Sequence, residues 1–195
     1  MNYFISEFNA ELCENTPLYI YLRAPMTVQS PQSLSDIEIL DVLQSMKDDK
    51  LDVEAEEIIR AGGKAGRQEA YKNALVALHN SFEEKFVEAV TLALGLNDGQ
   101  AKKIRYKKDR IRILKVRGID YLAIDGAETA HVLSQVSQAI VREDGIVNEG
   151  LHNIFPFWKE GWPMVQFDNA YTILAEDIDI HYQATLDKLL TGYGR

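Results

Sequence analysis

Residues 67–94 read RQEAYKNALVALHNSFEEKFVEAVTLAL and form the longest helical pattern in the chain. Apolar side chains recur there every three or four residues, the spacing that places them on one face of a helix. They are Tyr71, Ala74, Leu75, Leu78, Phe82, Phe86, Val90 and Leu94. Gly95 follows where a helix commonly ends. Because Ser81 and Glu84 have the spacing of a capping box, a break near Asn80 is the alternative to one continuous helix.

Helices are predicted on both sides of this stretch. Ser35 stands three residues before Glu38, a capping-box spacing that predicts a helix start, and apolar residues at three-residue steps continue that helix to Met46. A shorter helix is predicted over residues 52–61, before Gly62 and Gly63. Two more follow in the second half, one from Asp125 to near Gly145 and one over about residues 169–190.

Between these helices, the segment of residues 103–124 alternates apolar and basic side chains. Lys103–Lys108 and Arg110–Arg117 are predicted to pair as a hairpin, and Ile119–Ile124 as a further buried strand. Leu18–Arg23, bounded by prolines, also predicts a short strand. The expected fold is therefore α+β: one mostly helical domain over residues 1–195, with a small antiparallel sheet or β-hairpin around residues 103–124.

Composition excludes several classes of protein. The 195 residues are 46% apolar and 26% charged, a balance typical of a globular chain and not of a disordered or collagen-like one. The single cysteine, Cys13, cannot form an internal disulfide, and no Cys/His spacing predicts a zinc site. Since no stretch has the length and apolar character of a signal peptide or a membrane span, the sequence predicts a cytoplasmic protein without membrane contact.

Charge is distributed unevenly along this acidic chain. Residues 102–117 contain nine basic residues and one acidic residue, a net charge of +8, whereas the rest has 12 basic and 29 acidic residues, a net charge of −17. The predicted partner-binding or phosphate-binding residues are Lys103, Arg105, Lys107, Lys108, Arg110, Arg112, Lys115 and Arg117. Three interpretations stay open: protection of a sheet edge, docking on an acidic protein surface, including that of a second copy, or contact with nucleic-acid phosphates.

A second candidate site is a cluster of aromatic residues near the last helix. The predicted interface residues are Phe155, Phe157, Trp158 and Trp162. Such a cluster either closes one end of a core or anchors a protein partner, because buried aromatic side chains carry much of the binding energy at interfaces.

No set of residues defines a catalytic centre. Residues 62–67, GGKAGR, could hold an anion, but they follow a predicted helix and lack the P-loop continuation, so they read more simply as a turn between helices. Asp177 and His181 have the i, i+4 spacing of two metal ligands, without a recognisable third. Cys13 lies between two glutamates, which disfavours its thiolate. The sequence thus predicts no metal and no cofactor.

These observations favour a non-enzymatic binding or assembly protein, such as an adaptor or a phage-type assembly component. It would form homo-oligomers or dock on a larger complex through a basic hairpin and the aromatic loop. Two alternatives remain: a nucleic-acid-binding regulator that uses the same basic residues, and a metal-dependent enzyme with a carboxylate/His site.

Overall fold

The computed structural model describes residues 35–193, and this part of the chain is all-helical. Its α-helices are α1 (Asp36–Met46), α2 (Val53–Gly62), α3 (Arg67–Leu94), α4 (Asp98–Lys103), α5 (Lys107–Val116), α6 (Ala127–Arg142), α7 (Glu149–Ile154) and α8 (Phe167–Tyr193). A 3₁₀ turn spans Tyr121–Ala123. Among the described residues there is no sheet, and β-type pairing is confined to an isolated bridge between Ile146 and Pro163. The predicted strand at residues 18–23 lies outside them.

The expected α+β class and its basic hairpin at residues 103–124 are wrong. In place of the two hairpin strands the chain forms α4, a turn and α5, and in place of the third strand it forms the 3₁₀ turn. The buried positions Arg110 and Leu114 are four residues apart, which is a helical interval, so an arginine that a strand would direct outward instead lies inside. Lysine, arginine and leucine also favour helix. The short alternation of isoleucine with basic residues fits both the helical period and the two-residue period of a strand, and tertiary packing decides between the two structures.

Two long helices, α3 and α8, run parallel through the core. The side chain of Gln68 near the start of α3 accepts a hydrogen bond from the backbone N–H of Phe167, which begins α8. Further along both helices, Tyr71 packs edge-on against Tyr171 at 5.6 Å between ring centroids, and the Phe82 ring lies 5.8 Å from His181. The pairs advance in the same direction on both helices. Helix α2 packs on α3, α1 on α8 and α3, and α6 on both long helices.

Several predicted boundaries are confirmed. Ser35 and Glu38 form the expected capping box at the start of α1, because each side chain bonds to the other residue's backbone N–H. Gly95 ends α3 in a left-handed conformation. The predicted alternative of a break near Asn80 is wrong, since α3 continues through it as one helix of 28 residues. None of the helices in residues 35–193 combines the length and the apolar character needed to cross a membrane.

Candidate functional site

The basic segment is held as a corner made by α4, a short turn and α5. Asn97 and Gln100 form a capping box that starts α4, and Ile104 is fully buried beneath the turn that follows. Gly118 ends the corner with a φ of 78°, a left-handed conformation in which a residue with a side chain would be strained. One face of α5 therefore packs on the core and the other faces solvent.

Arg110 is the one basic residue of the corner that is buried. Its Nη2 donates to both carboxylate oxygens of Glu83 on α3, at 2.6 and 2.8 Å, and its Nε donates to the carbonyl of Ile104 at 3.0 Å. The guanidinium carbon lies 4.3 Å from the ring centroid of Phe86. Burial is the largest single influence and opposes the charge of Arg110, but Glu83 and Tyr121 together outweigh it and raise the pKa of Arg110 above its usual value. Arg110 thus joins α5 to α3 and is not available to a partner.

The same polar network continues from Arg110 into α8. Arg110 Nη1 donates to the Tyr121 hydroxyl at 3.2 Å. His181 Nδ1 lies 2.7 Å from the carbonyl of Asp125, which can only accept, so Nδ1 carries the proton. His181 Nε2 then accepts from the Tyr121 hydroxyl at 3.2 Å. Burial lowers the pKa of His181 to about 4, consistent with this neutral tautomer.

Most other cations of the corner face solvent. Arg112 pairs with Asp109 at 2.5 Å, and Lys107 lies 3.5 Å from Glu128. The other six basic residues of the corner are all exposed, and no described carboxylate lies within 4 Å of their charged groups. These six residues, here called the basic surface, are Lys102, Lys103, Arg105, Lys108, Lys115 and Arg117.

A small pocket opens where the corner meets α6. Its volume is about 30 Å³ and its walls include Arg105, Lys107, Arg110, His131 and Ser134. The amide nitrogen of Gln135 lies 3.2 Å from His131 Nε2 and donates to it, which leaves the proton of neutral His131 on Nδ1. Burial, followed by the nearby charge of Lys107, lowers the pKa of His131.

The predicted aromatic interface is divided between core and surface. Trp158 is almost fully buried, and its indole N–H donates to the carbonyl of Val165 at 2.6 Å. Phe155 is also buried and packs on Trp158 at 4.5 Å between ring centroids, while Phe157 is half-buried. Trp162 is 59% exposed beneath the Lys159 ammonium. Phe155 and Trp158 therefore hold the loop, whereas Trp162 and part of Phe157 remain accessible.

An apolar groove of about 240 Å³ lies beside this loop, between α6 and α8. Phe157, Val132 and Ile173 line it, and Asp177 lies at its edge. The structure thus places Asp177 at the groove, while His181, which the sequence paired with it as a metal ligand, has both ring nitrogens engaged in the buried network. Within residues 35–193, no group of three or more histidine, cysteine or acidic side chains could hold a metal ion.

The other sequence candidates lie apart from the basic corner. The anion-loop candidate at residues 62–67 is the connection between α2 and α3, as the simpler interpretation predicted. Burial lowers the pKa of His79 on α3, and its Nδ1 has no hydrogen-bond partner among the described residues. Cys13 lies outside the described residues.

Sequence reasoning missed Glu83 and Tyr121, the two partners that make Arg110 structural. Glu83 is 27 positions from Arg110 along the chain, and no local spacing connects them. A weak signal was available: on a helix, Arg110 shares its face with Leu114, whereas Lys108, Arg112 and Lys115 share another. That pattern required the helical interpretation of the segment.

Comparison of the chain with protein-family models, with curated proteins and with solved structures gives no match.

Proposed function

We propose that this chain is a non-enzymatic binding and assembly protein whose basic surface docks on an acidic protein surface, and that a second copy of the chain supplies that surface. The observation that carries the proposal is the set of six exposed cations of the α4–α5 corner that have no carboxylate neighbour in residues 35–193. Unneutralised charge of one sign directs association with a surface of the opposite sign.

An acidic counterpart is present on α1, α2 and their connection. Residues 36–57 contain nine carboxylates and two lysines, a net charge of −7. Seven of these carboxylates are exposed and have no ion pair with a described residue, and they are here called the acidic surface: Asp36, Glu38, Asp41, Asp48, Glu54, Glu56 and Glu57. The two surfaces thus carry similar numbers of charges without an ionic partner, six cations and seven carboxylates.

The two surfaces lie on different sides of α3, which favours a head-to-tail contact between copies. Glu83 binds Arg110 beneath the basic surface, and Lys85, two residues later, binds Asp49 of the α1–α2 connection at 2.8 Å. Two residues on a helix are separated by about 200° of rotation, so these contacts point in nearly opposite directions. One copy can therefore offer both surfaces at once, and such heterologous contacts extend into rings or filaments.

The exposed side chains around the basic surface suit a protein partner. Tyr106 is 68% exposed and Val116 79% exposed, beside Arg105 and Arg117. Tyrosine and arginine are enriched at protein interfaces, where apolar contact supplements charge. The net charge of −9 on the whole chain would instead repel a long polyanion.

Sedimentation velocity at low and high salt tests this proposal. We expect the purified chain to associate at about 20 mM NaCl and to become monomeric at about 500 mM, because salt screens exposed charges. The double variant Lys108→Glu/Lys115→Glu should remain monomeric at low salt. A matched control, Lys64→Glu/Arg142→Glu, changes the same charge at exposed residues outside the basic surface and should still associate. Equal loss in both variants, or a wild-type monomer at low salt, would contradict the proposal.

Nucleic acid is the second candidate, and exposed Tyr106 beside Arg105 is the observation that favours it. An aromatic ring next to a cation can stack on an unpaired base. Fluorescence anisotropy with a labelled single-stranded oligonucleotide separates the candidates. Salt-sensitive binding that Tyr106→Ala abolishes would support the nucleic-acid function, whereas no binding by a chain that self-associates would support the assembly function.

A further inference from the structure

The geometry points to a binding site for a single phosphoryl group in the pocket between the α4–α5 corner and α6. This site shares Arg105 with the basic surface, but its lining also includes α6 residues and a buried floor that the basic surface lacks. Phosphate monoesters and inorganic phosphate share the chemistry that it would recognise, a tetrahedral dianion with oxygen acceptors.

The walls of the pocket supply donors of the required kind. Arg105 and Lys107 bring two positive charges from the turn and the start of α5, and Arg105 has no carboxylate neighbour among the described residues. From α6, His131 offers its Nδ1–H, and the hydroxyl of Ser134 has no hydrogen-bond partner in residues 35–193. The cationic side chains, the imidazole N–H and the hydroxyl that line this one pocket match the acceptors of a phosphate oxygen set.

The charged side chains that line the pocket carry a net positive charge. Glu83 is the carboxylate that lines it, and both its oxygens are engaged by Arg110. Glu128 lies 3.5 Å from Lys107 but is largely exposed, so solvent weakens that pair. An anion entering the pocket would therefore meet donors that no strong internal partner occupies.

The size of the pocket limits what can enter. A volume of about 30 Å³ admits roughly two water-sized groups. Two phosphate oxygens fit this space while the remaining atoms stay at the mouth. A nucleoside would not fit, so recognition would be confined to the phosphoryl group. Hydrogen bonds of the buried network hold the side chains of Arg110 and Tyr121 at the floor of the site.

Calorimetric titration with orthophosphate, at constant ionic strength set by NaCl and at high enough salt to keep the chain monomeric, tests the site. We expect saturable binding that Arg105→Gln weakens at least tenfold and Lys107→Gln weakens similarly. Matched controls Lys108→Gln and Lys115→Gln remove the same charge from α5 outside the pocket lining and should change the affinity less than twofold. Thermal melts of all variants confirm that they fold.

A second arm distinguishes the source of the phosphoryl group. O-phosphoserine should compete with orthophosphate for the same site, and the tighter ligand identifies whether a phosphorylated side chain or the free ion is preferred. Absence of saturable binding above the chloride background would overturn the proposal. So would equal weakening by all four variants, since that result would indicate diffuse charge attraction and not a pocket. Neither outcome depends on whether the chain self-associates.

Discussion

The two faces of α5 carry the same kind of side chain and serve opposite purposes. On the inner face, Arg110 is 4% exposed and donates to Glu83, to Tyr121 and to the Ile104 carbonyl. On the outer face, Lys108 and Lys115 are exposed without a described carboxylate partner. A run of basic residues is therefore not one functional unit. Partners contributed by distant helices decide which cations stabilise the fold and which are free to bind.

Removal of the Arg110 charge on the inner face should have the largest effect on stability. Arg110→Met leaves the Glu83 carboxylate buried without its partner, and we expect the free energy of unfolding to fall by about 3–5 kcal/mol. Urea denaturation followed by circular dichroism measures this change. The matched outer variant Lys115→Met should cost less than about 1 kcal/mol.

The double variant Glu83→Met/Arg110→Met separates the effect of the ion pair from that of the other Arg110 contacts. Because it removes both charges together, it should recover at least half of the stability that Arg110→Met loses. A double variant as unstable as the single one would show that the Tyr121 and Ile104 contacts, and not the ion pair, hold the inner face.

The inner network should also make stability depend on pH. The pKa of His181 is lowered from 6.5 to about 4 in the folded chain, so its neutral form contributes stability above pH 6.5 that is lost as the pH falls towards 4. Between about pH 7 and about pH 5 we expect this residue to remove about 2 kcal/mol of unfolding free energy. His181→Gln should lose that part of the pH dependence, and an unchanged slope would contradict a buried neutral imidazole.

A substitution on the outer face of α5 should have the smallest effect on stability. Lys108→Gln removes a cation from the first turn of α5, where the helix dipole disfavours positive charge, so stability should change by less than about 0.5 kcal/mol. Self-association at low salt should nevertheless weaken. Thermal denaturation and light scattering on one sample measure the two effects together, and a large loss of stability would place Lys108 with the structural residues.

Local signals in the sequence were sufficient for the helices with strong periodicity and caps. The Ser35–Glu38 capping box and the end of α3 at Gly95 follow from neighbouring residues alone. The prediction for the α4–α5 corner was wrong because its isoleucines alternate with basic residues over a length too short to distinguish helix from strand. Only tertiary packing, which buries Arg110 against α3, settles that choice.

The candidate site was predictable in composition but not in geometry. The sequence located the excess of positive charge, and the structure leaves six of its nine basic residues exposed and without a described carboxylate neighbour. The sequence could not show the pocket, since Arg105 and His131 are far apart along the chain and are brought together by the packing of α6. Likewise, nothing local separates the buried Trp158 from the exposed Trp162.

The most direct test of head-to-tail assembly is a mixing experiment. The variant Lys108→Gln/Lys115→Gln/Arg117→Gln keeps the acidic surface, and Glu54→Gln/Glu56→Gln/Glu57→Gln keeps the basic surface. Sedimentation velocity at low salt should show each variant alone as a monomer and an equimolar mixture as a one-to-one dimer. A mixture that sediments as monomers, or a single variant that still self-associates, would show that these two surfaces do not join copies of the chain.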